Sequence, residues 1–125
     1  MAHLRRPRVL IVDDEDASAL LTSAILASEK GIEVVGRVRH GREALTMAAS
    51  VNPDVILMDL EMPVMDGIEA TRLLRASGSS ARIILLGDEE QVAAAEAVGA
   101  DGYVPKPQTL SALREAILGQ RDADS

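Results

Sequence analysis

Residues 8–16 run Arg8-Val9-Leu10-Ile11-Val12-Asp13-Asp14-Glu15-Asp16, a short aliphatic segment that stops abruptly on four acids. An unbroken aliphatic run of this length is the pattern of a strand buried on both faces. It is too short for the apolar core of a signal peptide and far too short to span a bilayer, so a cytoplasmic protein is expected. The acids after it open a helix, where negative charge gains from the helix dipole.

The same alternation of strand and helix continues along the chain. Strands are expected over 8–12, 32–37, 54–58, 82–86 and 101–104, with Asn52-Pro53 punctuating the start of the third. Helices are expected over 16–28, 41–51, 66–76, 89–98 and 109–119, the last with Leu110, Leu113 and Ile117 on one face. Asp66 with Glu69, and Asp88 with Gln91, have capping-box spacing. Gly31 and Gly99 stand where helices should stop. Repeated strand–helix units imply an α/β domain whose parallel sheet is covered on both faces. Right-handed crossovers then leave chiefly the flavodoxin-like (βα)5 doubly wound sheet, with strand order 2-1-3-4-5. One domain is expected over 1–120, followed by a polar tail over 121–125.

Composition narrows the function. The 125 residues carry 20 acids against 13 bases, a formal charge of −7, no cysteine and a single aromatic, Tyr103. A hydrophobic content of 47% argues against disorder. The absence of cysteine excludes disulfides, a thiol nucleophile and cysteine-bound zinc or iron–sulfur sites. His3 and His40 are too few and too far apart to suggest a multi-histidine metal centre. An acidic chain without aromatic platforms is a poor nucleic-acid binder, so no direct nucleic-acid contact is expected. The basic cluster Arg5-Arg6 and Arg8 reads as a solvated N-terminal arm, with contact to an anionic partner as the other reading.

In doubly wound sheets, ligands bind outside the carboxyl ends of the strands, where strand order reverses. Asp13 and Asp14 follow the first strand, Asp59 closes the third after Val55-Ile56-Leu57-Met58, and Lys106 follows the fifth. With the first and third strands adjacent, three carboxylates share one crevice with an ammonium close by. Two like charges about 4 Å apart repel by roughly 1–4 kcal/mol, so the cluster needs compensation. A hard divalent cation such as Mg2+ supplies it, taking one or two carboxylates, a carbonyl and waters. A carboxylate beside a metal and a lysine is also a nucleophile toward phosphorus, with both cations neutralising the phosphoryl oxygens. Taken singly, Asp14, Glu15 and Asp16 are helix-opening acids, Lys106 a turn lysine, and Asp66-Gly67 a turn and cap. Asp59 alone resists such a reading, because a charge closing an apolar strand needs a partner.

These residues resemble the receiver domain of two-component response regulators. The resemblance rests on Val9-Leu10-Ile11-Val12-Asp13-Asp14-Glu15, on the segment from Pro53 through Asp59-Leu60-Glu61-Met62-Pro63 to Asp66-Gly67, and on Gly99-Ala100-Asp101-Gly102-Tyr103-Val104-Pro105-Lys106-Pro107. It implies that Asp59 accepts a phosphoryl group from a histidine kinase or phosphotransfer protein. It also implies that Asp13, Asp14, Asp59 and the carbonyl of Glu61 hold Mg2+, that Lys106 pairs with the phosphoryl group, and that the Lys106–Pro107 bond is cis. Such a domain catalyses its own phosphoryl transfer without turning over an external metabolite, so it is not read as an enzyme.

One position departs from the family. Receivers carry Thr or Ser at the end of the fourth strand, where this chain has Gly87, followed by Asp88 at the mouth of the pocket. Tyr103 matches the family's switch aromatic but lacks the hydroxyl partner it follows. The expectation is phosphorylation with weak or altered coupling, strengthened by Gly87→Thr. The alternatives are a degenerate receiver that binds proteins independently of phosphate, and an aspartyl phosphohydrolase suggested by Asp59-Leu60-Glu61, whose motif has Asp where Glu61 stands. Glu33-Val34-Val35-Gly36 and His40-Gly41-Arg42-Glu43-Ala44-Leu45 look like receivers attached to helix-turn-helix domains. The chain therefore reads either as a stand-alone regulator or as the regulatory part of a DNA-binding regulator. An output domain, a downstream protein and a second copy of the chain remain open as partners, with no membrane partner.

Overall fold

The computed structural model describes residues 6–119. His3, Arg5 and the tail over 121–125 lie outside the described residues. The elements follow in the order β1 (Arg8–Val12), α1 (Asp16–Ala27), β2 (Glu33–Val38), α2 (Gly41–Val51), β3 (Val55–Asp59), α3 (Gly67–Ala76), β4 (Arg82–Gly87), α4 (Val92–Ala97), β5 (Gly102–Pro105) and α5 (Leu110–Arg114). The strands form one parallel five-stranded sheet in the order β2-β1-β3-β4-β5, the doubly wound α/β arrangement expected.

Side chains alternate across a strand, and that alternation divides the core in two. Leu10, Val12, Ile56, Met58, Ile83 and Leu85 face α2, α3 and α4, and pack on Ala44, Ala48, Ala70, Leu74 and Ala95. Val9, Ile11, Val55, Leu57, Ile84 and Leu86 face α1 and α5, and pack on Ala19, Leu26, Leu113 and Ile117. With only one aromatic available, both layers are aliphatic. Burial on both faces explains why β1, β3 and β4 read as continuous apolar runs, whereas the edge strand β2 is only partly buried.

Several local expectations are corrected. α1 ends at Ala27, one residue before the expected bound, with the Ser28 hydroxyl donating to the Ile25 carbonyl at 2.7 Å across its last turn. The Asp88–Gln91 capping box does not form. Glu89–Gln91 is a 3-10 turn in which the Gln91 N–H is already donated to the Asp88 carbonyl at 3.2 Å, and the Asp88 side chain caps nothing. Arg8 is no solvated arm: its guanidinium donates to the carbonyls of Val51 at 2.6 Å and Asn52 at 2.9 Å, tying β1 to the end of α2. Arg6 sits 3.8 Å from Glu33. The Asp66 cap is present, its carboxylate accepting the Glu69 N–H at 2.9 Å. Gly99 ends the α4 region at a φ of 104°.

Two registers place the functional edge. Val9 pairs with Val55 and Val12 with Met58, so Asp13 and Asp59 follow neighbouring strand ends in step. Asp59 in turn pairs with Leu86, and Gly87 with Pro105, which brings the residue after β5 toward the same edge. The loop after Asp59 returns tightly, with the Gly67 N–H donated to the Leu60 carbonyl at 2.9 Å. A Cβ at Gly67 would lie 2.6 Å from the Asp59 carbonyl oxygen and 3.0 Å from the Leu60 Cα. Both obstacles are backbone and cannot rotate away. Gly67→Ala is therefore expected to destabilise the domain by about 1–3 kcal/mol, the range for overpacking, as a lower midpoint in urea unfolding. An unchanged midpoint would contradict this close approach.

Candidate functional site

Asp13 continues the β1–β2 ladder by donating its N–H to the Val38 carbonyl at 3.0 Å, and it is fully buried. Its Oδ1 accepts the Glu15 N–H at 3.0 Å, while its Oδ2, also buried, accepts no hydrogen bond. Asp59 ends β3 and is 6% exposed. Its Oδ1 accepts the Glu61 N–H at 3.3 Å. Lys106 Nζ stands 3.2 Å from Asp59 Oδ2 and 3.9 Å from Asp13 Oδ2. The carboxylates of Asp13, Asp14 and Asp59 offer oxygens within 4.8 Å of one another. Asp14 and Asp59 border a cleft of about 260 Å³ that Glu15, Glu61, Gly87 and Lys106 also line, with Asp13 buried beneath it. The Lys106–Pro107 peptide bond is cis.

Opposing effects act on Asp59. Burial pushes its carboxyl above the usual range, the Lys106 ammonium pulls it back, Asp13 pushes it up again, and the Glu61 N–H lowers it. The net direction is upward, so the Lys106 charge does not fully compensate the buried acid. A buried carboxylate oxygen without a hydrogen bond, beside two further carboxylates, is a hard oxygen donor set short of positive charge. That set fits Mg2+.

Arg37 was not anticipated. Its Nε and Nη2 donate to the Asp13 carbonyl at 3.1 and 2.8 Å, clamping the loop that carries the acids. Its Nη1 lies 3.0 Å from Asp16 Oδ1, and Arg39 Nη1 lies 2.6 Å from the same atom. The guanidinium of Arg39, then that of Arg37, holds the Asp16 carboxyl below the usual range. Asp16 is thus engaged outside the cleft. The spacing of Arg37 and Arg39 at the end of an expected strand was the available signal, since alternate residues share a face.

Gly87 lines the cleft with a φ of 155°, and a Cβ there would lie 2.9 Å from Leu60 Cδ1 and 3.1 Å from Leu60 Cβ. Leu60 is buried. A hydroxyl side chain at this position therefore needs both a different backbone conformation and displacement of Leu60, so Gly87→Thr is not the simple restoration expected from sequence. Asp88 is exposed and absent from the lining of the cleft. Tyr103, half-buried and paired with Leu85, is likewise outside the lining. Desolvation, then the charges of Glu89 and Asp88, push its phenol above the usual range.

Residues 9–118 match the model of the family described as the response regulator receiver domain. The chain is 41% identical over 121 residues to a protein-glutamate methylesterase/protein-glutamine glutaminase of Nocardioides sp., covering 93% of this chain and 33% of that protein. It spans about a third of the length of two such methylesterase relatives. It is 37% identical to the chemotaxis protein CheY of Halobacterium salinarum, covering 88% of this chain and 92% of that protein. Among solved structures, the signal receiver domain of the response regulator NarL from Mycobacterium tuberculosis superposes with a TM-score of 0.86 at 27% identity, over 94% of this chain and 98% of that one. A chain of the CheX–CheY–BeF3–Mg2+ complex from Borrelia burgdorferi gives a TM-score of 0.82 at 27% identity, over 91% and 88%. A chain of the complex between the Saccharomyces cerevisiae histidine phosphotransfer protein Ypd1 and the receiver domain of Ssk1 gives 0.79 at 28% identity, over 92% and 88%.

The raised carboxyl of Asp59 has a consequence for stability. The native state holds that proton more tightly than the unfolded chain, so stability from this group is present below the ordinary value of 3.8 and is lost as pH rises through the raised native value. In metal-free buffer, Asp59→Asn is therefore expected to unfold at a higher urea concentration than the parent at pH 7. The difference should close as pH falls toward the ordinary carboxylate value. Equal midpoints at pH 7 would contradict the upward shift.

Proposed function

The chain belongs to the response regulator receiver domain family, and from that premise we propose that Asp59 accepts a phosphoryl group from the phosphohistidine of a histidine kinase or phosphotransfer protein. The observation that carries this reading is Asp59 Oδ2, 3.2 Å from Lys106 Nζ and beside the buried, hydrogen-bond-free Oδ2 of Asp13. Asp13, Asp14, Asp59 and the Glu61 carbonyl would hold Mg2+, which when bound neutralises phosphoryl oxygens. An Asp59 oxygen attacks phosphorus, the phosphorus–nitrogen bond breaks, and its electron pair returns to the imidazole nitrogen, which takes up a proton. Lys106 compensates the charge on the phosphoryl oxygens, and the Glu61 N–H orients the carboxylate. Asp59 and Lys106 are the catalytic residues. The chain transfers a phosphoryl group to itself and turns over no external metabolite.

The carboxylate chemistry is supported separately from the switch. At Gly87 the φ of 155° and the contact with Leu60 favour a β4 end that does not relay phosphorylation to Tyr103. The same observation favours the second reading, a receiver that binds its partner independently of phosphate. The length of the methylesterase relatives supports a regulatory role toward an output domain or a separate downstream protein, or between copies of the chain. Among the described residues no helix is long and apolar enough to cross a membrane, and the proposed compartment is the cytoplasm.

Incubation with acetyl phosphate and Mg2+, read by intact mass, is expected to give one phosphoryl adduct that is lost in Asp59→Asn. Lys106→Ala should slow its formation by roughly 10²-fold, as for the loss of one charge-stabilising donor. No adduct, or one that survives Asp59→Asn, would overturn the phosphoacceptor role. Because Tyr103 is the only aromatic residue, acrylamide quenching of its fluorescence reports on this ring alone. Quenching is expected to be the same before and after phosphorylation. A marked fall would show an inward-moving ring and overturn the uncoupled β4 end.

A further inference from the structure

Gln108, Ser18 and Thr22 are buried polar residues that the chemistry above does not use. Gln108 Nε2 donates to Thr22 Oγ1 at 2.6 Å and lies 3.5 Å from Ser18 Oγ. These bonds join α1 to the connection between β5 and α5, two segments more than 80 residues apart in sequence. They lie on the side of the sheet covered by α1 and α5, where the core cluster is aliphatic. A buried amide costs free energy unless it is hydrogen-bonded, and leucine or methionine would fill similar volume without that cost. What the amide adds is direction, because only one placement of the connection against α1 satisfies it.

The connection is short. β5 ends at Pro105, whose ladder partner is Gly87, and α5 begins after Thr109, whose hydroxyl accepts the Ala112 N–H at 3.2 Å. Lys106, Pro107 and Gln108 lie between. Lys106 and Pro107 are exposed, and Gln108 is 6% exposed. The backbone that carries Lys106 is therefore held on one side by the ladder and on the other by the Gln108 amide. α1, which receives that amide, begins at Asp16, directly after the acid loop. The hydrogen bond thus joins the segment that carries Lys106 to the helix that follows the acid loop.

We infer that Gln108 is a positioning residue for Lys106: its bond to Thr22 fixes the β5–α5 connection against α1 and so sets where the ammonium stands relative to Asp59. This inference rests on the assignment of Lys106 as the cation of the phosphoacceptor site, and its test separates the two. Lys30 and Lys106 are the only lysines, so 13C-lysine labelling gives ε-methylene resonances from those residues alone, assigned with Lys106→Ala. Gln108→Leu and Thr22→Val should move the Lys106 resonances toward those of exposed Lys30, whereas Thr22→Ser should leave them in place. In the acetyl phosphate reaction, Gln108→Leu should slow adduct formation by about tenfold, within the range for a misplaced catalytic group. The same substitution added to Lys106→Ala should slow it no further. Thermal unfolding of each variant confirms that a folded domain is compared.

Lys106 resonances unmoved by Gln108→Leu would overturn the inference. So would an equal slowing with and without Lys106, which marks a structural role only. If the parent forms no adduct, the phosphoacceptor reading falls, and the lysine resonances still decide whether Gln108 holds Lys106.

Discussion

Lys106 is the cation on which the arrangement of the site depends. Its ammonium faces two buried carboxylates, 3.2 Å from Asp59 and 3.9 Å from Asp13, and Asp14 adds a third acid alongside. Charges of one sign this close repel by roughly 1–4 kcal/mol, a sizeable share of the ~5–15 kcal/mol that stabilises a domain. Burial first, and the Asp13 charge after it, push the Asp59 carboxyl upward against the pull of the Lys106 ammonium. The cluster is therefore held under electrostatic load by a fold that derives its stability elsewhere, in two aliphatic layers. That load leaves the cluster short of positive charge, the condition under which a hard divalent ion would fit it.

The sheet order dictates which residues can take part. Asp13 and Asp59 meet because β1 and β3 are neighbours in register. β5 lies beyond β4, and a strand spacing of about 4.8 Å puts it roughly 10 Å from β3. A cation arriving from β5 must lie past the strand end and reach back over β4. Lysine has the length for this, and Gly87, at the end of β4, presents no side chain in its way. Gly67 plays a comparable part beneath Asp59, where the returning chain comes too close for a Cβ. Arg37 completes the frame by gripping the Asp13 carbonyl from β2.

Most of the strand positions and the principal acids were legible in the sequence, because strands buried on both faces must be aliphatic runs and charges at their ends are conspicuous. Bounds slipped by a residue where pairing rather than hydrophobicity decides, as at Val38, which belongs to β2 because it pairs with Val12. The start of α4 was misread because an aspartate suited to capping precedes a 3-10 turn that occupies the donor it would have taken. Arg8, Arg37 and Gln108 were opaque for another reason. Their partners lie 43, 24 and 86 residues away, and bonds made only by the finished fold leave no periodic trace in the chain.

Charge handling and relay are separable at this edge. Charge handling needs Asp13, Asp14, Asp59 and Lys106, which the fold assembles. At the end of β4, a side chain at residue 87 would need a different backbone angle and displacement of the buried Leu60. The contacts leading away from Asp59 run instead through Lys106 to the connection after β5, and from Gln108 to Thr22 on α1. Tyr103 stands apart from that series: it does not line the cleft, and desolvation, then the charges of Glu89 and Asp88, raise its phenol.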